Sequence, residues 1–248
     1  MCPPSAGATR LWEYASPKDD TNKIPDCVPP DSISRAVYAH AHRHLHPDIL
    51  NHSLRVYLLA QGLATREASP YTTNTDDPEN NNNNNLLPLL FTACILHDIG
   101  TAPTHNGPQR FEVEGADAAS TLLKSHNISD SDAHSVWVAI ALHSTPGIAE
   151  RIAPLARLVR MGVAMDFKRT AALRLTSAEE VGKVEGVFPR GGIEKVLGDA
   201  VVEQVLGRER EGEGGEAVDA KAPAASWPGV LVRSARENPG WEGVNRAF

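Results

Sequence analysis

Leu86-Leu-Pro-Leu-Leu-Phe-Thr-Ala-Cys-Ile-Leu-His-Asp-Ile-Gly100 is apolar almost throughout and ends in a glycine, a good C-terminal stop for a helix. Its length and its Leu, Ala and Phe content favour a buried helix over a strand. The polar pair His97-Asp98 sits at the end of this helix. Neighbouring helical residues point about 100° apart, so the pair alone does not make a site. Its position matters more, because an imidazole and a carboxylate at the end of a buried helix should not stay unpaired. A shared cation resolves the problem.

Working outward, the helical pattern continues on both sides. Asp31 or Ser32 can cap a helix running to His44. Pro47-Asp48 opens another helix, in which Ile49, His52, Val56 and Leu59 share one face, so His52 points inward. Beyond Gly100, one helix covers Glu112 to His126 and a second covers Asp130 to His143. The second is capped by Ser129, with Asp132 placed as in a capping box. A helix from about Ile152 to Phe167 carries Leu155, Leu158, Val159, Met161 and Val163 and ends at Asp166. The last clear helix holds Ile193, Val196, Leu197, Ala200, Val201 and Val205. No run alternates as a strand would, so the expected fold class is all-α: a compact helical bundle with a metal centre between helices.

His52, His97, Asp98 and Asp166 thus fall where the core should be. Two imidazoles and two carboxylates suit Zn²⁺, with Fe²⁺ or Mn²⁺ as further candidates.

The expected boundaries are an irregular, Pro-rich N-terminal arm over 1–30, one domain over 31–206, and a flexible charged linker and tail over 207–248. Residues 65–85 include six asparagines from Asn80 to Asn85 and read as a solvated loop inserted in the domain. The tail carries Trp227 and Trp241, which can pack back on the body.

Composition narrows the function classes. The chain has 248 residues, 41% hydrophobic and 22% charged, with a formal net charge of -7. With no dense Lys/Arg run, a phosphate-backbone partner is not expected. Three cysteines without CxxC spacing argue against a disulfide framework and a thiolate zinc site. Cys94 reads as a small core residue. The first residues hold no apolar stretch of signal-peptide length, and no run approaches the roughly 20 apolar residues that span a bilayer. The expectation is an intracellular, reducing compartment, the cytoplasm ahead of the nucleus, and a small-molecule substrate. The apolar C-terminal helices offer a surface for a homo-oligomer. The run His40-Ala-His-Arg-His-Leu-His46 holds two i,i+4 histidine pairs and reads as a solvated helix face.

Taken in order, the motifs resemble a known family. His…His-Asp…Asp is the signature of HD-domain proteins. The local sequences resemble more closely the fungal cyanamide hydratase group of that superfamily. The matching segments are Asn51-His-Ser-Leu-Arg-Val-Tyr57, Ala93-Cys-Ile-Leu-His-Asp-Ile-Gly100, Arg110-Phe-Glu-Val-Glu-Gly-Ala116, Trp137-Val-Ala-Ile-Ala-Leu-His143, Gly147-Ile-Ala-Glu-Arg151 and Ala156-Arg-Leu-Val-Arg-Met-Gly-Val163 leading to Asp166-Phe167. The resemblance spans roughly Asp31 to Phe167, and more weakly to Val205. It implies an all-helical fold and a zinc ion on His52, His97, Asp98 and Asp166. It also implies a hydro-lyase that adds water to cyanamide, giving urea, or to a related small nitrile- or isocyanide-like compound.

Two departures stand out. The Asn-rich insertion lengthens the stretch between His52 and His97, and Thr101 stands where many phosphohydrolase members have Lys. The second departure removes a phosphate-binding cation. The alternative reading is a metal-dependent phosphohydrolase of nucleotides, the commoner activity of that superfamily. A binding module that kept the fold and lost the chemistry is a third reading, which the intact ligand residues oppose.

In the hydratase chemistry, metal binding would lower the pKa of a water from about 15.7 towards about 7, and the hydroxide would attack the nitrile-type carbon. The nitrogen then needs a proton donor. His143 and Thr145 are the expected donor and orienter, and Glu112 or Arg110 would line the other side. Asp98 and His143 bridging a second metal is a further option.

Overall fold

The computed structural model describes residues 24–72, 86–169, 172, 174–212 and 214–248. Most of the expected arm, and residues 73–85 of the expected Asn-rich loop, lie outside these residues. Residues 24–30 hold turns and bends and no helix.

The described residues form helices and two short 3-10 turns, with no strand. Helix α1 is Ser32–His44 and α2 is Pro47–Arg66. Asp31 caps α1 by accepting the Ser34 N–H, and Pro47 enters α2 where a missing N–H is harmless. Helix α3, Leu87–Leu96, is almost wholly buried. It packs on α1, on α2, on α4 (Phe111–Ser125), on α5 (Asp130–Leu142) and on α7 (Pro154–Asp166). A helix apolar on every side can only be central. Its fully buried Leu90, Phe91, Ile95 and Leu96 each contribute about 1.5–3 kcal/mol of transfer free energy.

Chemistry-bearing residues sit at helix ends because the buried helices stop there. His97 and Asp98 follow α3 and precede the 3-10 turn Ile99–Thr101. Gly100 is not the stop that the sequence suggested: α3 has already ended at Leu96, and Gly100 lies inside the 3-10 turn. Its backbone lies against α4, and a Cβ there would come within 1.9 Å of the Phe111 carbonyl oxygen. Gly162 serves a similar close crossing of α7 on α2, where a Cβ would meet the Val56 carbonyl oxygen at 2.7 Å.

Several expectations need correction. The helix expected from about Ile152 to Phe167 is α7, which starts at Pro154, and a short α6, Ala149–Ile152, precedes it. Ala153 between them is extended, because Pro154 bars its predecessor from helical geometry. Ser129 caps α5 as expected, but Asp132 takes the Ser129 hydroxyl instead of closing a capping box. A genuine box, Ser177 with Glu180, opens α8 (Ala178–Val187), a helix absent from the sequence reading. Residues 207–225, read as linker, hold the end of α9 (Ile193–Arg210) and all of α10 (Glu216–Lys221). Lys221, though charged, is buried with its ammonium donating to the Gly107 carbonyl at 2.8 Å. Helix α11, Trp227–Glu237, packs on α9. Among the described residues no helix is long and apolar enough to cross a membrane.

Candidate metal centre

Two helix ends and one helix face converge. His52 comes from the middle of α2, His97 and Asp98 from the end of α3, and His143 from the end of α5. All four are buried. His97 Nδ1 lies 2.7 Å from the Cys94 carbonyl, and His143 Nδ1 lies 2.7 Å from the Ile140 carbonyl. A carbonyl only accepts, so both rings carry a proton on Nδ1. His52 Nδ1 lies 2.7 Å from the Asp166 carboxylate, which fixes the same tautomer. Each ring therefore turns its Nε2 inward, where its neutral form offers a lone pair.

What the lone pairs face is another set of lone pairs. His97 Nε2 is 3.2 Å from His52 Nε2 and 3.1 Å from Asp98 Oδ2, and His52 Nε2 is 3.6 Å from the same oxygen. Asp98 Oδ2 is buried and receives no hydrogen bond. Its other oxygen lies 3.4 Å from His143 Nε2. A buried carboxylate oxygen without a donor is costly. A tetrahedral ion with bonds of about 2.0–2.1 Å holds its donors about 3.3 Å apart, which is the spacing seen here. His52, His97 and Asp98 thus fit a divalent cation, with one donor atom from each lying within 4.8 Å of the others. The site's demand for positive charge also shows in its titration. Burial pushes His97 down, yet the Asp98 carboxylate beside it outweighs that and raises it. Burial likewise opposes ionisation of Asp98, and the neighbouring imidazoles hold it well below the usual carboxylate range.

Asp166, the fourth expected ligand, is placed differently. Its carboxylate addresses the Nδ1 edge of His52, not the shared centre. Arg55, fully buried one helical turn after His52, takes both Asp166 oxygens: Nε donates to Oδ1 at 2.6 Å and Nη2 to Oδ2 at 2.9 Å. A buried guanidinium needs such a partner. Asp166 is therefore committed to orienting His52 and neutralising Arg55. Arg55 was missed in the sequence, although its spacing from His52 puts both on one helix face.

The residues expected beyond the metal divide in two. A cavity of about 710 Å³ opens on the centre and is lined by His143, Thr145 and Arg110, but not by Glu112. Glu112 is fully buried and acts as a clamp, accepting Arg110 Nε at 3.0 Å and Nη2 at 2.6 Å, and bonding the Ser144 hydroxyl. The far wall comes from Phe167, at the end of the last motif, and from Leu197, Trp227, Val230 and Phe248 beyond the motifs. The Phe248 ring meets Trp227 at 5.6 Å and Phe167 at 5.2 Å between centroids. In the tail, Trp227 alone of this wall gave a sequence signal.

Comparison with known families finds an HD domain at residues 49–162. That span contains His52, His97, Asp98 and His143 and stops short of Asp166. The match supports the HD-domain superfamily and implies a metal-dependent, hydrolase-type function. No curated protein matches the chain.

Proposed function

We propose that the protein is a metal-dependent hydratase acting on a carbon–nitrogen multiple bond. Cyanamide, converted to urea, is its simplest substrate, and small nitrile- or isocyanide-like compounds with an apolar substituent complete the class. The observation that carries this reading is the cavity over the metal centre. Its wall away from the metal is aromatic and aliphatic, and no lysine lines it. Two of its three arginines are already paired with carboxylates, Arg110 with Glu112 and Arg160 with Glu150. An uncharged substrate suits such a wall better than a phosphate does. The resemblance of the six sequence blocks points the same way, as does Thr101, whose hydroxyl donates to the Asp98 carbonyl instead of reaching the cavity.

A divalent cation on His52, His97 and Asp98 would acidify a water from about 15.7 towards about 7, and zinc, iron(II) or manganese(II) suits the donors. His143, with Nδ1 donating to the Ile140 carbonyl, would use Nε2 to take a proton from that water. The water oxygen would bond to the substrate carbon as one carbon–nitrogen π bond opens, His143 would return the proton to nitrogen, and the isourea formed from cyanamide would tautomerise to urea as its O–H proton moves to the imino nitrogen. Arg110, held by Glu112 and Ser144, stands rigidly at the wall, and Thr145 completes the polar edge.

The second reading, nucleotide phosphohydrolysis, is favoured by the presence of Arg110, Arg160 and Arg169 around one cavity. Assaying metal-loaded protein for urea from cyanamide and for phosphate from a nucleotide panel separates the two. Urea without phosphate supports the hydratase, and phosphate without urea replaces it.

A further inference from the structure

We propose that His40, His44 and His105 form a second, surface metal site for a transition-metal cation of the zinc or copper type. The site would pin α1 to the 3-10 turn Pro103–His105. His40 and His44 are four residues apart on α1, so their rings lie one above the other, with centroids 4.7 Å apart. The sequence alone makes these a solvated pair. The fold adds His105 from a separate segment: its Nε2 lies 3.1 Å from His40 Nε2, and its ring is 5.6 Å from that of His44. Two imidazole nitrogens on one tetrahedral ion stand about 3.3 Å apart, so the His40–His105 pair already has the bite of a shared cation.

His44 supplies the third ligand after a side-chain rotation. Its Nδ1 now meets the Thr104 hydroxyl at 3.1 Å, a partly exposed contact that water can replace. The cluster is half-buried, and metal binding requires neutral imidazole. Burial, followed by the mutual repulsion of the three rings, pushes His40 down to about 4, so its lone pair is available at neutral pH. The same causes lower His105. Residues 103–105 lie between the Asp98–Thr101 turn and Arg110, so an ion here would steady the segment joining the metal centre to the cavity wall.

The experiment is zinc titration of the full-length protein, read by calorimetry and elemental analysis. His105→Gln and His40→Gln variants are compared with wild type, with circular dichroism confirming their folds. His42→Gln is the control, since His42 faces Tyr38 on the same helix. The expected result is that wild type and His42→Gln bind one equivalent more than His105→Gln or His40→Gln. In hydrogen exchange, zinc should protect residues 101–110 in wild type but not in His105→Gln. Equal zinc content in His105→Gln and wild type overturns the proposal, as does loss of the extra equivalent in His42→Gln.

Discussion

His52 and His97 turn their Nε2 atoms to each other across 3.2 Å while each Nδ1 is already spent on an acceptor. With Asp98 Oδ2 as the third neighbour, one positive charge has to stand among these atoms, whether a proton or a cation. His97→Ala or Asp98→Ala therefore removes the bound metal outright. Elemental analysis checks this, and a core ion kept at full stoichiometry by either variant refutes the assignment.

Asp166 holds the Nδ1 edge of His52, and through that ring it would act on a bound metal. Loss of such an orienting partner typically weakens metal affinity about 10–100-fold without abolishing binding. Asp166→Asn is expected to fall in that range in a competition titration with a chelator. A loss as complete as that of His97→Ala would make Asp166 a direct ligand.

Arg55 and Asp166 are a buried ion pair, and removing one partner strands the other. Arg55→Met should cost about 3–5 kcal/mol in urea denaturation. The double variant Arg55→Met/Asp166→Asn should cost less than the sum of the two single changes, because their side chains touch. Additive losses would show that the pair is not coupled.

Gly100→Ala places a methyl group within 1.9 Å of the Phe111 carbonyl oxygen, where backbone cannot yield cheaply. A loss of at least about 1–3 kcal/mol is expected. Because Gly100 lies in the 3-10 turn that Asp98 opens, metal affinity should fall with stability. A melting temperature equal to wild type would contradict this packing.

Burial, followed by the charge of Arg208, lowers Lys221 to about 8. Below pH 8 the residue is charged both folded and unfolded, and the cost of burying the charge is felt in full. Between about 8 and the ordinary 10.5 the folded chain has lost the proton while the unfolded chain keeps it, so that cost fades as pH rises. Lys221→Met should thus be more stable than wild type at pH 7, with the advantage shrinking by pH 10. A pH-independent difference in denaturation midpoint would argue against a buried charge at this position.

The metal centre was legible because its residues interrupt strong apolar patterns. His52 breaks an apolar face and His97-Asp98 ends an apolar run, and burial forces such groups to find partners. Asp166 was legible as a buried carboxylate but not as the partner of Arg55, since a guanidinium inside a helix usually reads as solvent-facing. The cavity wall was harder still. Trp227 and Phe248 reach it through long-range packing of α11 and the chain's last residues, and the Gly- and Glu-rich segment before them hides short helices behind the composition of a linker. Likewise, His105 gave no local sign that it meets His40 across 65 positions.

The central claim is water addition at this centre. The most direct measurement is the rate of urea formation from cyanamide by metal-loaded wild type and by His97→Ala under identical conditions. Steady turnover is expected of wild type and none above background of the variant. No urea from metal-loaded wild type, or equal rates from the two proteins, would contradict it.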